Sequence, residues 1–135
     1  MARRAAARLG LTNVEFRCAD ARQLSPEQAF DGIMMVDLLH HIDDAAKRRL
    51  LARCRGALTK DGVLVVKDIT TRPRYQLAFT WLLDVLMTRS FDMWYMSGEA
   101  FRRHLDDADW RIETFSIADL LPYPHVVYLC SRPPE

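Results

Sequence analysis

The sequence predicts an α/β fold with a mostly parallel sheet and helices on both faces. Two unbroken apolar runs, residues 32–36 and 62–66, each end at charged residues. Apolar runs without alternation are typical of strands that helices cover on both faces, as in parallel sheets. Between the runs, over residues 44–58, apolar side chains recur every four positions, as they do on one face of a helix. Strand, helix and strand in this order predict a right-handed crossover unit.

The remaining segments extend this pattern at both ends. Helices are predicted at residues 2–9 (which Gly10 ends), from Ser25, at 75–88, and at 97–107 with Ser97 as cap. Alternating residues predict a strand at 14–18. Two further strands, 110–117 and 125–130, flank the proline-containing loop 121–124, and so short a connection predicts an antiparallel C-terminal hairpin.

Composition narrows the class of protein. The chain has 135 residues, of which 50% are hydrophobic and 27% charged, which suits one folded domain over residues 1–135. The net charge of +1 gives no bulk reason to expect a nucleic acid or a membrane surface as partner. Three widely spaced cysteines predict neither zinc ligands nor a disulfide scaffold, so we expect no metal and a reducing cytoplasm. The longest apolar stretch falls short of a transmembrane span.

Five segments in this order resemble the later part of a class I S-adenosylmethionine-dependent methyltransferase. They are 11–21, similar to the third strand and its acidic turn; 30–37, similar to the fourth strand; 39–44, which follows it; 58–66, similar to the fifth strand; and 97–130, similar to the final helix and hairpin. The resemblance implies a truncated Rossmann-like fold that covers about the C-terminal two-thirds of the family domain. It also implies S-adenosylmethionine as cofactor.

One feature of the family is missing from these 135 residues. The five glycines lie at least six positions apart, so no GxG loop is present, nor are the first two strands or the acidic residue that binds the ribose. We expect either a fragment of a longer protein or a shortened relative. The missing strands would leave two sheet edges exposed. The strand at 14–18 is therefore expected to pair with residues 33–36, or with a second copy of the chain in a homodimer.

The resemblance implies roles for particular residues. Asp20 and Ala21 are candidates for binding the adenine of the cofactor, and Asp37 and Leu38 for contacting its methionine part. His40 is the candidate catalytic base, because imidazole accepts protons near neutral pH. His41, Lys67, Arg72 and Arg74 are candidates for the substrate side, the arginines for an anionic group. Each has a structural alternative: a turn aspartate, a packed histidine or a solvated basic loop.

Two functions remain open from the sequence. The first is methyl transfer to a small-molecule or lipid-like acceptor, with helix 75–87 and the Met- and aromatic-rich loop 91–96 as a lid or as packing. This chemistry needs proximity and exclusion of water more than a nucleophile. The sequence lacks an Asn/Asp-Pro-Pro-aromatic run after the fourth strand, so nucleic-acid substrates are disfavoured. The second is a non-catalytic remnant or assembly domain that has lost cofactor binding.

Overall fold

The computed structural model describes residues 1–23, 29–106, 110–117 and 123–133, with the side chain of residue 106 excepted. Four α-helices and four strands lie in these ranges. The helices are α1 (Ala2–Arg8), α2 (Asp44–Ala57), α3 (Arg74–Thr88) and α4 (Gly98–Asp106), and the strands are β1 (Phe30–Val36), β2 (Leu58–Ile69), β3 (Arg111–Ile117) and β4 (His125–Ser131). Two short 3-10 turns cover Ala21–Gln23 and Leu39–His41.

The four strands form one sheet in the order β1-β2-β4-β3. β1 runs parallel to β2, with Ile33 opposite Leu64 and Val36 opposite Lys67. β4 pairs antiparallel with both β2 and β3. The α/β class, the crossover unit and the antiparallel hairpin are confirmed. Only one of the three pairings is parallel, because the strand predicted at residues 14–18 does not join the sheet.

The prediction for residues 14–18 is wrong. Residues 14–20 have no regular secondary structure, and the expected pairing with residues 33–36 is not formed. A strand is stabilised by its neighbour in the ladder, and β2 is the only partner of β1 among the described strands. Residues 14–18 contact α1 instead, where Arg3 donates a hydrogen bond to the carbonyl of Phe16 at 2.8 Å. Pairing with a second copy stays a prediction.

The helix predicted at the N-terminus is confirmed as α1. Gly10, at φ +66°, follows it in the left-handed region that favours glycine. The Leu11 amide then donates to the carbonyl of Ala6 at 3.0 Å, which satisfies one of the last free carbonyls of the helix. The predicted helix at Ser25, the end of α4 beyond residue 106 and part of the 121–124 loop lie outside the described residues.

The predicted central helix is confirmed as α2, and it packs its apolar face on the sheet. Asp43 caps it by accepting a hydrogen bond from the Ala46 amide at 2.9 Å. Leu50 and Cys54 are buried with strand residues of the same hydrophobic core. Lys47 is fully buried although it is charged, and its ammonium donates to Asp44 Oδ1 at 2.9 Å and to the carbonyl of Trp94 at 2.6 Å.

Two helices differ sharply in how they contact the sheet. Ser97 caps α4 by accepting a hydrogen bond from the Ala100 amide at 3.1 Å. Phe101 of α4 is buried and stacks on Tyr128 of β4, with ring centroids 4.0 Å apart. On α3, only Thr80 is fully buried, and apolar side chains such as Met87 (85% exposed) face outward. Among the described helices, none is both long and apolar enough to cross a membrane.

Gly62 lies where β2 passes close to Phe30 at the start of β1. A Cβ at this position would lie 3.0 Å from the carbonyl oxygen of Phe30 and 3.0 Å from Leu58 Cδ2. We therefore expect Gly62→Ala to destabilise the protein by about 1–3 kcal/mol through overpacking. The matched control is Gly56→Ala in α2, where nothing lies within 4 Å of the added Cβ. This change is expected to stabilise by about 0.5–1 kcal/mol. Urea unfolding measures both, and equal effects would contradict the packing.

His104 links α4 to α2 and makes stability depend on pH. Burial, and then the nearby positive charge of Arg48, lower the pKa of His104 below its ordinary 6.5. Arg48 Nε donates to His104 Nδ1 at 3.0 Å, which requires neutral imidazole. The unfolded chain thus binds a proton at this residue more readily than the folded protein does. Above the ordinary pKa His104 leaves the free energy of unfolding unchanged, and the free energy of unfolding falls as the pH is lowered towards the folded pKa.

Urea unfolding between pH 8 and 5 tests this dependence. The native protein is expected to lose stability through that range, and His104→Gln, whose amide oxygen still accepts from Arg48, to lose less. Asp44 opposes the shift and remains in both proteins. The same slope in the variant would show that His104 is not the group responsible.

Candidate functional site

A buried carboxylate organises the carboxyl ends of β1 and β2. Asp68, near the end of β2, accepts hydrogen bonds from the backbone amides of Leu39 at 2.8 Å and Ile69 at 2.7 Å. Its Oδ1 also lies 2.5 Å from His40 Nδ1. Because a carboxylate only accepts, His40 Nδ1 carries the proton and donates. The Asp68 carboxylate therefore fixes both the orientation and the tautomer of His40.

The second ring nitrogen of His40 faces two polar side chains from elsewhere in the chain. Nε2 lies 3.8 Å from Asp84 Oδ2, and the Tyr95 hydroxyl donates to that same oxygen at 2.5 Å. The Tyr95 ring also stacks on the imidazole, with centroids 5.6 Å apart. Burial and the bond to Asp84 raise the pKa of the Tyr95 phenol, so it stays a hydrogen-bond donor. His40 is only 4% exposed beneath this cover.

The backbone of loop 91–96 is attached to the same histidine. The Trp94 amide donates to the carbonyl of His40 at 2.7 Å. The carbonyl of Trp94 in turn accepts from the buried Lys47 at 2.6 Å. These two bonds hold the peptide just before Tyr95 and thereby place the Tyr95 ring over His40.

A large open cavity lies on the outer side of Tyr95. Its volume is about 1170 Å³. The lining residues come from the loop after β2, the first turns of α3 and loop 91–96, and they are Thr71, Arg72, Pro73, Arg74, Leu77, Ala78, Trp81 and Tyr95. The predicted substrate-side residues Arg72 and Arg74 are thus brought together with the predicted lid elements.

Asp37 and Lys67, expected on the cofactor and substrate sides respectively, form one ion pair. The Lys67 ammonium lies 2.7 Å and 2.8 Å from the two carboxylate oxygens of Asp37. Asp37 has a positive φ of 49°, and its amide donates to the carbonyl of Lys67 at 2.9 Å, so the parallel pairing of β1 and β2 continues to this point. The following residue, Leu38, packs against the core.

Asp20 and Ala21 lie at the 3-10 turn after residues 14–18. The Asp20 carboxylate accepts from the backbone amide of Arg22 at 2.9 Å and from its guanidinium at 2.7 Å. These bonds lower the pKa of Asp20 below its ordinary range. Arg53 of α2 donates to the carbonyl of Arg22 at 3.0 Å, and Ala21 packs against the core, so the turn is fastened to α2.

His41 differs from its neighbour by being exposed. Its ring lies 4.0 Å from that of His40, centroid to centroid. Desolvation, and next the neighbouring His40, lower the pKa of His41 below its ordinary 6.5. His41 is thus a neutral imidazole at the surface beside the buried one.

Sequence reasoning did not identify the roles of three members of this site, Asp68, Asp84 and Tyr95. Asp84 is the only charged residue within the apolar stretch 77–87, and a lone carboxylate there indicates a polar partner. No comparable signal identified Tyr95 within its aromatic loop. Within the described ranges, no group of three or more His, Cys, Asp or Glu side chains could hold a metal ion.

Comparison with known proteins agrees with this fold. Residues 1–62 match the family model described as "Methyltransferase domain". The structure of the mitomycin 7-O-methyltransferase MmcR is similar, with a TM-score of 0.77 at 23% identity over 98% of this chain and 38% of that chain. The DhpI–SAH complex has a TM-score of 0.67 at 21% identity over 96% and 60% of the two chains. No curated protein sequence matches.

A third similar structure is the magnesium protoporphyrin IX methyltransferase ChlM from Synechocystis PCC 6803 with bound SAH. Its TM-score is 0.69 at 15% identity, over 96% of this chain and 57% of that one. The chain therefore spans 38–60% of the length of these three proteins. It has the fold of S-adenosylmethionine-dependent methyltransferases, and the resemblance to the class I family is confirmed.

The chemistry of the candidate cofactor residues fits S-adenosylmethionine. Asp20 offers a carboxylate to an exocyclic amine, and Asp37 offers one to a cationic group. Both carboxylates are held by flexible cations, Arg22 (side chain 58% exposed) and Lys67 (20% exposed). The more exposed pair, Asp20–Arg22, is of a kind worth only about 0–1 kcal/mol, so a ligand could displace it at low cost.

Asp68 is expected to be the most sensitive residue of the site. Asp68→Asn replaces an acceptor oxygen by an amide group, which leaves a buried donor unsatisfied. We expect a loss of about 1–3 kcal/mol in the free energy of unfolding. Urea unfolding measures the loss, and ¹⁵N chemical shifts of the His40 ring report the change of tautomer.

The matched control for this variant is Asp31→Asn. The Asp31 carboxylate is exposed and accepts one hydrogen bond, from Thr59 Oγ1 at 3.1 Å. Its change is expected to stay within about 0.5 kcal/mol. Equal stability of the two variants would contradict the central place given to Asp68.

Proposed function

We propose that this chain, as one domain of residues 1–135, carries out S-adenosylmethionine-dependent methyl transfer to a hydroxyl group of a small-molecule or lipid-like acceptor. One observation carries the proposal: His40, oriented by Asp68, lies at the carboxyl ends of the parallel strands β1 and β2. Ligands of open α/β sheets bind at this edge. The similar structures include a 7-O-methyltransferase and a complex with SAH, which support the same reaction class.

His40 is the proposed general base. When bound, the cofactor supplies an electrophilic sulfonium methyl group, which the acceptor oxygen takes as the C–S bond breaks, leaving a thioether and the proton of the acceptor. His40 Nε2 is the free acceptor for that proton, because Nδ1 is bonded to Asp68. The imidazolium that forms is stabilised by Asp68 on one side and by Asp84, 3.8 Å from Nε2, on the other.

The cofactor is proposed to lie along the strand ends. Asp20 and Ala21 would bind its adenine, and Asp37 and Leu38 its methionine part. The cations Arg22 and Lys67, which now pair with the two carboxylates, would turn towards solvent.

The acceptor is proposed to enter from the cavity of about 1170 Å³. Arg72 and Arg74 line this cavity. His41 and Lys67 are also proposed to lie on the substrate side. Since Tyr95 covers the ring of His40, proton transfer requires the Tyr95 side chain to turn away. The Tyr95 ring and loop 91–96 then act as a lid, which is one of the two roles that the sequence suggests for this loop.

We also propose a cytoplasmic location and a homodimer formed through the open edge of β1. That edge carries Met34 (69% exposed) and Val36 (54% exposed), and an unpaired apolar edge favours pairing with another chain. Residues 14–18 of a second copy are the proposed partner strand. No role for nucleic acid is proposed, in line with the net charge of +1.

Two measurements test the enzyme. Calorimetric titration with S-adenosylhomocysteine is expected to show binding that Asp20→Asn weakens. Transfer of a labelled methyl group to a panel of hydroxylated small molecules is expected to yield product, and His40→Gln is expected to lower kcat by about 10²- to 10⁴-fold. No binding at millimolar ligand together with no labelled product would contradict the proposal.

The His40 variant needs controls that distinguish a catalytic role of His40 from a packing role. A base makes kcat fall on the acid side of the pH profile, and this limb is expected to disappear in His40→Gln while the affinity for S-adenosylhomocysteine stays within about twofold. Arg49→Gln, an exposed change on α2, serves as the matched variant with native activity. An unchanged pH profile in His40→Gln would assign His40 to packing.

A further inference from the structure

We infer that the acceptor is a hydroxyaryl carboxylate, a planar aromatic molecule with the reacting hydroxyl at one end and an anionic group at the other. The inference rests on the proposed function and names the substrate class of that same site. It follows from how charge and aromatic surface are distributed around the cavity.

The lining of the cavity is cationic. Arg72 and Arg74 both contribute to it, and no acidic residue of the described ranges does so. Neither guanidinium has a hydrogen bond or an ion pair with any residue in the part of the chain that the structure describes. Other exposed arginines, such as Arg17 and Arg22, pair with carboxylates nearby. Two guanidinium groups that line one cavity and have no partner among the described residues favour a carboxylate, which they bind with strong, charge-assisted hydrogen bonds.

The backbone strengthens this positive field. α3, 15 residues long, begins at Arg74 beside the cavity. Its N-cap residue is Pro73, which makes no side-chain cap bond, and its first turn contains no acidic residue. The positive end of the helix dipole therefore adds to the two guanidinium charges at the place where the anion would bind.

The walls of the cavity suit an aromatic ring. Trp81 and Tyr95 supply aromatic surface, and Leu77 and Ala78 supply aliphatic surface between them. Trp81 is 41% exposed although it is a large apolar side chain, so a ring packed on it would remove apolar surface from water. The volume of about 1170 Å³ exceeds that of a single ring and accommodates a fused ring system.

Tyr95 connects the cavity with the proposed base. It lines the cavity and also stacks on His40, so a molecule bound between the arginines and Tyr95 would reach the proposed base once the Tyr95 side chain turns away. The anion at one end thus orients the hydroxyl at the other towards Nε2 of His40.

The test uses 6-hydroxy-2-naphthoate and its neutral methyl ester, which share the ring system and the hydroxyl. Calorimetric titration of the cofactor-free protein at low salt is expected to show at least tenfold tighter binding of the carboxylate. In the double variant Arg72→Gln/Arg74→Gln the difference is expected to fall below about twofold. Arg49→Gln, also an exposed arginine, is expected to keep the native preference.

Binding without cofactor separates this inference from the proposed function. Equal affinities for the acid and the ester, or a preference that survives in the double variant, would overturn the inference even if other acceptors are methylated. A carboxylate preference that the double variant loses supports the inference, and it does so even where methyl transfer fails, in which case only the proposed reaction is contradicted. Circular dichroism of the double variant checks that it is folded, as expected for changes at two exposed side chains.

Discussion

The buried carboxylate of Asp68 is the constraint on which the site depends. Three donors converge on it, the amides of Leu39 and Ile69 and the ring of His40. A carboxylate removed from water is tolerated only when its lone pairs are satisfied, so the turn after β1 must close onto β2. The parallel register of β1 and β2 brings that turn within reach, because Val36 already lies opposite Lys67. The position of His40 is therefore a consequence of sheet pairing.

The cover over His40 is built from a different kind of interaction. Lys47 lies near the start of α2 and is fully buried. Its ammonium donates hydrogen bonds to Asp44 and to the carbonyl of Trp94. A cation in this position holds the backbone of loop 91–96 beside His40. The Tyr95 side chain can then break its hydrogen bond to Asp84 and form one to another partner while the loop backbone stays in place. A tethered backbone with a movable ring suits a lid.

The parts of the fold that the sequence could predict are those with a local cause. α2 follows from the four-residue apolar period and the Asp43 cap, and β2 from an unbroken apolar run. The prediction of a strand at residues 14–18 was wrong. Alternation of apolar and polar residues shows that a segment can form a strand, but it does not show that a neighbouring strand is available to pair with it. The burial of Lys47 could not be predicted, because its acceptor at Trp94 lies 47 residues away. The link from Asp84 to Tyr95 likewise depends on how α3 meets the loop, which no periodicity encodes.

The charges of the site fall into two groups with different physical roles. The pairs Asp20–Arg22 and Asp37–Lys67 both reach solvent, with side chains 20–58% exposed, so water screens them more than it screens a buried pair. Asp68 and His40 are buried, where removing one partner leaves the other unsatisfied at a far higher cost. Exchangeable pairs suit a surface that must release and rebind a charged cofactor in each turnover. A fixed buried pair suits a base, whose nitrogen must return to the same position each time. This difference in burial, more than the identity of any one residue, separates the proposed cofactor side from the proposed acceptor side.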